Sequence, residues 1–419
     1  MNEQMVSIGK LVDKYSILEM KQKSNMDVKR EMDAIAFCKK YIDAYPRLYK
    51  QLKYINQKIW DFMEDMQEPA AFEICKLNNQ KFRLKKTLND LTNSYIKDQK
   101  SYLDNKCVVF SKHIVGKLDV IGFLCIEYDV VYVRVLTEDD QSAIQNILPN
   151  TNLRFFMGEA PLYTTFELDE TAFDIPDVFK FEPIYYTSSG LLGDFVTQLS
   201  IICENFYKTG RKGIVNMIDT VPFRKGLEET YSEVKSIVAS QPYIEEFQMG
   251  FPDNFEIYLS SWRDSNQLYK INIYELFLQE YNVPFGKHKW IHTANNVRWN
   301  NKVIIHIVTY RFPVNINYQN IVNQHGIENI VFLNMEDKDY EYFVEKTKIN
   351  IPTIYKPESF EDLCIIIGSC KLFVGATSMP LCIAHATHVS RIVGLPDNND
   401  IKMLATGLIH HVPNIISET

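Results

Sequence analysis

Apolar positions in the first hundred residues recur at helical spacing. Leu11, Tyr15 and Leu18 near the start, and Leu84, Leu88, Leu91 and Tyr95 near the end, fall at steps that place each set on one stripe of a helix. Residues 1–106 hold one glycine, Gly9, and two prolines, Pro46 and Pro69. The pattern predicts a module of three or four antiparallel helices, broken near Asn25, Pro46 and Pro69.

The period changes after Cys107. Val120–Tyr128 and Val130–Leu136 are rich in β-branched and aromatic residues and read as strands. Glu138–Leu148 reads as a short helix and Leu153–Gly158 as another strand, giving a small α/β connector over 107–181. From Glu182 onward, apolar strands alternate with helical stretches, as in βαβ units on a parallel sheet. Pro183–Ser188 leads to a helix through Tyr207 and then to the strand Gly213–Asp219. Thr220–Asn300 is aromatic-rich and has no clear period. The alternation then restarts, with strands expected at Val303–Thr309, Asn329–Asn334, Thr353–Lys356, Lys371–Ala376 and Arg391–Leu395. Two α/β blocks, 182–300 and 301–419, would face each other as two Rossmann-like domains.

Length and composition agree with a multidomain globular protein. The 419 residues are 46% hydrophobic and 23% charged, with 16 glycines and 16 prolines, which excludes a disordered, collagen-like or purely coiled-coil chain. Net charge is −8, so no basic field for nucleic acid covers the whole molecule. Residues 1–106 nonetheless carry 20 basic against 15 acidic side chains. A protein partner for the helical module is one consequence to expect. Within it Lys81, Arg83, Lys85 and Lys86 read as a solvated helix face, with binding of a phosphate or an acidic partner as the alternative. The eight cysteines include no CxxC pair and no cluster at zinc-ligand spacing, so no metal or cofactor is expected and the chain reads as reduced and cytoplasmic. The start, Met1–Ser16, lacks the pattern of a secretory signal, and no apolar run reaches the ~18 residues of a membrane span.

Two runs carry the candidate chemistry. In Ser188–Ser200 a strand gives way to a helix through Gly190 and Gly193, with Asp194 in the first helical turn. Glycines there admit a ligand to the backbone, and the carboxyl ends of strands are where open α/β sheets bind. Asp194 is then either a general base for a hydroxyl or a helix cap that answers the dipole. In Cys370–Pro396 a strand ends at Gly375, Ala376, Thr377 and Ser378 make the turn, and Pro380 suits the start of the next helix. Such a turn presents N–H groups and hydroxyls to a phosphate, or simply closes a βα unit. His385 and His388, one turn apart with no third ligand, read as surface or packing residues.

Together these runs resemble the heptosyltransferase-like glycosyltransferases of the two-Rossmann GT-B architecture, over about residues 182–397. Gly190, Leu191, Leu192, Gly193 and Asp194 match that family's Gly-x-x-Gly-Asp turn. Phe373, Val374, Gly375, Ser378, Pro380, Gly394 and Pro396 match its C-terminal motif. The resemblance assigns Asp194 as the base for the acceptor hydroxyl. It assigns the loop from Gly375 through Thr377, Ser378, Met379 and Pro380 to the diphosphate of a nucleotide-sugar donor. It also makes Arg311 a phosphate partner, and Glu358 or Glu361 a ribose contact. Departures are Thr377 for Asp, Met379 for Gly, Cys382 for His and Ser200 for Pro. The N-terminal runs Ile8–Lys21, Leu52–Asp65 and Asn78–Tyr102 resemble a family of small helical proteins without an assigned function.

The expectation is a glycosyltransferase that moves a sugar from a nucleotide-diphosphate sugar to a glycan or other hydroxyl acceptor, its two halves closing on the donor. The alternative is a non-catalytic sugar- or nucleotide-binding scaffold that kept the fold and lost Asp and His from the donor loop.

Overall fold

The computed structural model describes residues 6–65, 70–95, 105–159, 163–169, 171–313 and 315–395. Pro69 and Pro396 lie outside them. The chain divides into two compact units, Met1–Phe181 and Glu182–Thr419.

The first unit begins with helices α1 (Ile8–Lys23), α2 (Lys29–Ala34), α3 (Lys39–Ala44), α4 (Pro46–Asp65) and α5 (Ala70–Leu91). Ser7 caps α1 by accepting from the Lys10 amide at 3.3 Å. Leu11, Tyr15, Leu18, Leu52, Ile55, Leu84 and Leu88 bury into one cluster, as the stripe predicts. Tyr95 departs from it, since α5 stops at Leu91 and Tyr95 is exposed. The basic cluster is also not a solvated face. Lys81 and Lys85 meet Asp13 at 3.0 and 3.7 Å, and Arg83 meets Asp129 at 2.9 Å; Lys86 alone of the four is exposed. Asp13 is buried and also accepts from Asn56 at 2.8 Å, so the cations compensate a carboxylate that would be costly alone.

The same unit continues through β1 (Lys106–Phe110), α6 (Leu118–Glu127), β2 (Val130–Arg134), α7 (Glu138–Ile147), β3 (Leu153–Phe156) and β4 (Thr164–Glu167). The strands are parallel in the order β3-β2-β1-β4. The run Val120–Tyr128, expected as a strand, is mostly α6. A continuous apolar run does not separate a buried strand from a helix covered on several sides. Ile121, Leu124 and Cys125 are buried, while Ile126, Val120 and Phe123 join the helical cluster above.

The second unit holds two open parallel sheets. The first half comprises β5 (Ile184–Ser188), α8 (Leu192–Thr209), β6 (Gly213–Met217), α9 (Leu227–Ala239), β7 (Ile244–Met249), β8 (Ile257–Tyr258) and α10 (Ile273–Tyr281), with strand order β7-β6-β5-β8. The other half opens with β9 (Val303–His306), α11 (Tyr318–His325), β10 (Ile330–Leu333), α12 (Asp337–Thr347) and β11 (Ile354–Tyr355). It closes with α13 (Phe360–Ser369), β12 (Leu372–Ala376), α14 (Met379–Ala386) and β13 (Arg391–Gly394), in the order β11-β10-β9-β12-β13. Every residue of β9, β10 and β12 is buried, as expected of a parallel sheet covered on both faces. Two open parallel sheets, with the helical module before them in the chain, make an α/β architecture of two Rossmann-like halves.

The halves meet along α8 and α14, in a seam that glycine keeps tight: a Cβ on Gly193 would lie 3.5 Å from the Met379 Cα. Trp290, from the irregular stretch between the halves, is buried against both. Its indole N–H donates to the Val196 carbonyl at 2.8 Å, its amide donates to Ala386 at 3.1 Å, and its carbonyl accepts from the Tyr243 hydroxyl at 2.5 Å.

Candidate functional site

Strand order decides where the loops converge. In the first half the order reverses beside β5, between β5 and β8; in the second it reverses between β9 and β12. The carboxyl ends of strands at such reversals leave a crevice for ligands. The Asp194 turn follows β5, the Arg311 turn follows β9, and the Thr377–Ser378 loop follows β12.

Asp194 sits at the third position of α8, and its Oδ2 accepts from the Leu191 amide at 3.2 Å, one arm of a capping box. The helix-cap reading is therefore met. The same Oδ2 also pairs with Arg263 Nη2, and among the described residues Oδ1 has no partner. The side chain keeps 25% of its surface exposed. Burial raises the carboxyl above its ordinary range, against the lowering pull of Arg263, the Leu191 amide and Arg311.

Arg311 ends a single 3-10 turn, Thr309–Arg311, which buried Asp339 at the start of α12 holds by accepting from the Thr309 amide at 3.3 Å. The guanidinium donates from Nη1 to the Thr377 carbonyl at 2.8 Å. In the adjoining loop the Thr377 hydroxyl is buried without a partner, and Ser378 donates to the Ala376 carbonyl at 3.2 Å instead of capping α14. Pro380 has no N–H to offer, and the Leu381 and Cys382 amides are taken by the Ser378 carbonyl at 3.1 and 3.3 Å. An anion here would therefore meet mainly the Arg311 charge and the first amides of the loop.

These groups share one cavity of about 400 Å³, lined by Gly193 and Asp194 from the first half and by Arg311, Thr377, Ser378 and Met379 from the second. That volume falls in the range of small-molecule sites, ~300–1,000 Å³. Gly190, Gly375 and Pro380 lie behind the lining. Gly375 is packed within the sheet, where a Cβ would come 2.8 Å from the His306 carbonyl and the Phe373 ring. Glu358 is exposed and Glu361 accepts from Ser236 at 3.2 Å; neither borders the cavity. His385 packs edge-on to Phe285 and Trp290 and also borders the cavity, whereas His388 lies beside the same indole and does not line it. No sequence pattern marks Arg263, Trp262, Arg224 or Lys225, which come from the stretch without periodicity. Lys225 is neutralised by Glu233 at 3.0 Å, whereas Arg224 is an exposed cation on the cavity wall. Among the described residues no three His, Cys, Asp or Glu side chains gather where they could share a metal ion, and no helix is long and apolar enough to cross a membrane.

No family model matches the sequence, and no curated protein matches it. Among solved structures the chain is similar to the E. coli heptosyltransferase WaaC with ADP-2-deoxy-2-fluoro heptose, at 8% identity and a TM-score of 0.32 over 54% of this chain and 98% of that one. It is also similar to the iron-containing dodecameric glycosyltransferase TibC from enterotoxigenic E. coli (10% identity, TM-score 0.33, 51% of this chain and 58% of that one). A third similarity is to a glycosyl transferase family 9 protein from Veillonella parvula (11%, TM-score 0.24, 72% and 84%). What the cavity can do is read from this chain's own residues.

Proposed function

We propose that the protein is a glycosyltransferase that moves a sugar from a nucleotide-diphosphate sugar to the hydroxyl of a glycan or another acceptor. One observation carries the reading: Asp194 and the Arg311–Thr377–Ser378 group line one cavity from opposite halves of a two-sheet fold. Asp194 takes the acceptor proton on Oδ1 as the acceptor oxygen bonds to the anomeric carbon. The bond from that carbon to the diphosphate breaks, and Arg311 with the loop amides holds the charge that develops on the departing group. Thermal-shift measurements against UDP, GDP, ADP, CMP and dTDP test the reading. A nucleotide diphosphate at 100 times its Kd stabilises the fold by about 2.7 kcal/mol, and failure of every one to raise the melting point overturns it.

A non-catalytic binding scaffold is the second reading. It is favoured by two facts: Arg263 pairs with one of the two oxygens of the Asp194 carboxylate, and uncharged Thr377 stands where the resembled family has Asp. Nucleotide binding with no turnover of any intact nucleotide-sugar, including slow hydrolysis, selects it.

A further inference from the structure

Arg263 lies on the short turn Ser261–Asp264 that follows β8, across the switch point from β5. Its guanidinium sits 4.9 Å from the Trp262 ring and reaches Asp194 Oδ2. Its path runs beside Gly190. Gly190 has φ +117°, and a Cβ there would lie 3.4 Å from Arg263 Nη2 and 3.5 Å from both Arg263 Nε and Asp194 Oδ2. A side chain at 190 would be strained by its backbone, while its Cβ would rest in ordinary van der Waals contact with the ion pair. The Gly190 amide is itself tied to the Val221 carbonyl at 3.2 Å, so the turn has little room to yield.

We propose that Arg263 is the positioning residue for Asp194. It fixes Oδ2, leaves Oδ1 as the oxygen that takes a proton, and keeps the carboxylate ionised inside the cleft. The proposal rests on the reading of Asp194 as a base. The charged and titratable groups acting on Asp194 are Arg263 beside it, Arg311 across the cavity, and the Cys382 thiol on α14. Of the influences that lower its pKa, Arg263 is the largest.

The test is a direct titration of the full-length protein labelled with 13C at aspartate carboxyls, the Asp194 signal being assigned by its loss in Asp194→Asn. Arg263→Gln is expected to raise the Asp194 midpoint by about 1–3 pH units, the usual effect of an opposite charge at contact distance. Arg263→Lys should leave a smaller rise. An unmoved midpoint in folded Arg263→Gln overturns the proposal. If that variant does not fold, an unmoved midpoint in Arg263→Met, which keeps the bulk and removes the charge, overturns it. A merely structural arginine would lower the melting point and leave the titration alone. No nucleotide enters this experiment, so failure of the transferase reading, seen as absent nucleotide stabilisation, is distinguishable from failure here.

Discussion

Arg311 Nη1 donates to the Thr377 carbonyl at 2.8 Å, tying the turn after β9 to the loop after β12. The two connections flank the second sheet's switch point, so a single side chain sets the spacing of the wall on which a diphosphate would rest.

Arg311→Ala should weaken the stabilising nucleotide diphosphate by roughly 10- to 100-fold, because a hydrogen bond to a charged group contributes ~1.5–3 kcal/mol. Titration calorimetry reads this directly. An unchanged Kd would place the anion elsewhere.

Asp194→Asn keeps the cap to the Leu191 amide, since the amide oxygen still accepts, but it removes the base. Turnover should fall about 10²- to 10⁴-fold with nucleotide affinity retained. Equal turnover in the two proteins would release Asp194 from the chemistry.

Acid should destabilise the second unit in a definite window. His306 is buried in β9 with Nδ1 on the Leu333 carbonyl, and burial pushes its pKa down to about 4; His388 is likewise held to about 4 by burial and by Arg391. The unfolded residues titrate near 6.5. Between pH 6.5 and 4 the unfolded chain therefore binds protons that the folded chain refuses, so stability falls as pH drops through that window. His306 contributes on the order of 2 kcal/mol of that loss between pH 7 and 5. Urea midpoints at the two pH values measure it, and His306→Gln should flatten the slope. Equal slopes with and without the imidazole would contradict the assignment.

Trp290→Ala should cost about 3–5 kcal/mol, as truncating a fully buried aromatic does, and it also withdraws the indole N–H from the Val196 carbonyl. Chemical denaturation would detect the loss. A cost below about 1 kcal/mol would mean that the seam repacks without it.

The sequence disclosed the parallel strands well, because Val303–His306, Ile330–Leu333 and Leu372–Ala376 are apolar at every or nearly every position and bounded by helical text. It could not give the strand order. That order depends on which edges pair, and it is what brings Asp194 and Arg311 to a common cavity. Val120–Tyr128 misled because the helix it forms is covered by the bundle, which removes the polar face that marks an amphipathic helix. Arg263 and Trp262 were invisible for a different reason: they lie on a one-turn segment fixed by tertiary contacts, where no periodicity operates. Lys81 and Lys85 looked solvated because their carboxylate partner, Asp13, lies 68 and 72 positions away along the chain.

Trp290 has a mechanical consequence. A hinge that parted the two half-domains would have to extract a buried indole and break its bonds to α8, to α14 and to Tyr243. The exposed lining residues Arg224 and Tyr310 can move without disturbing that rivet.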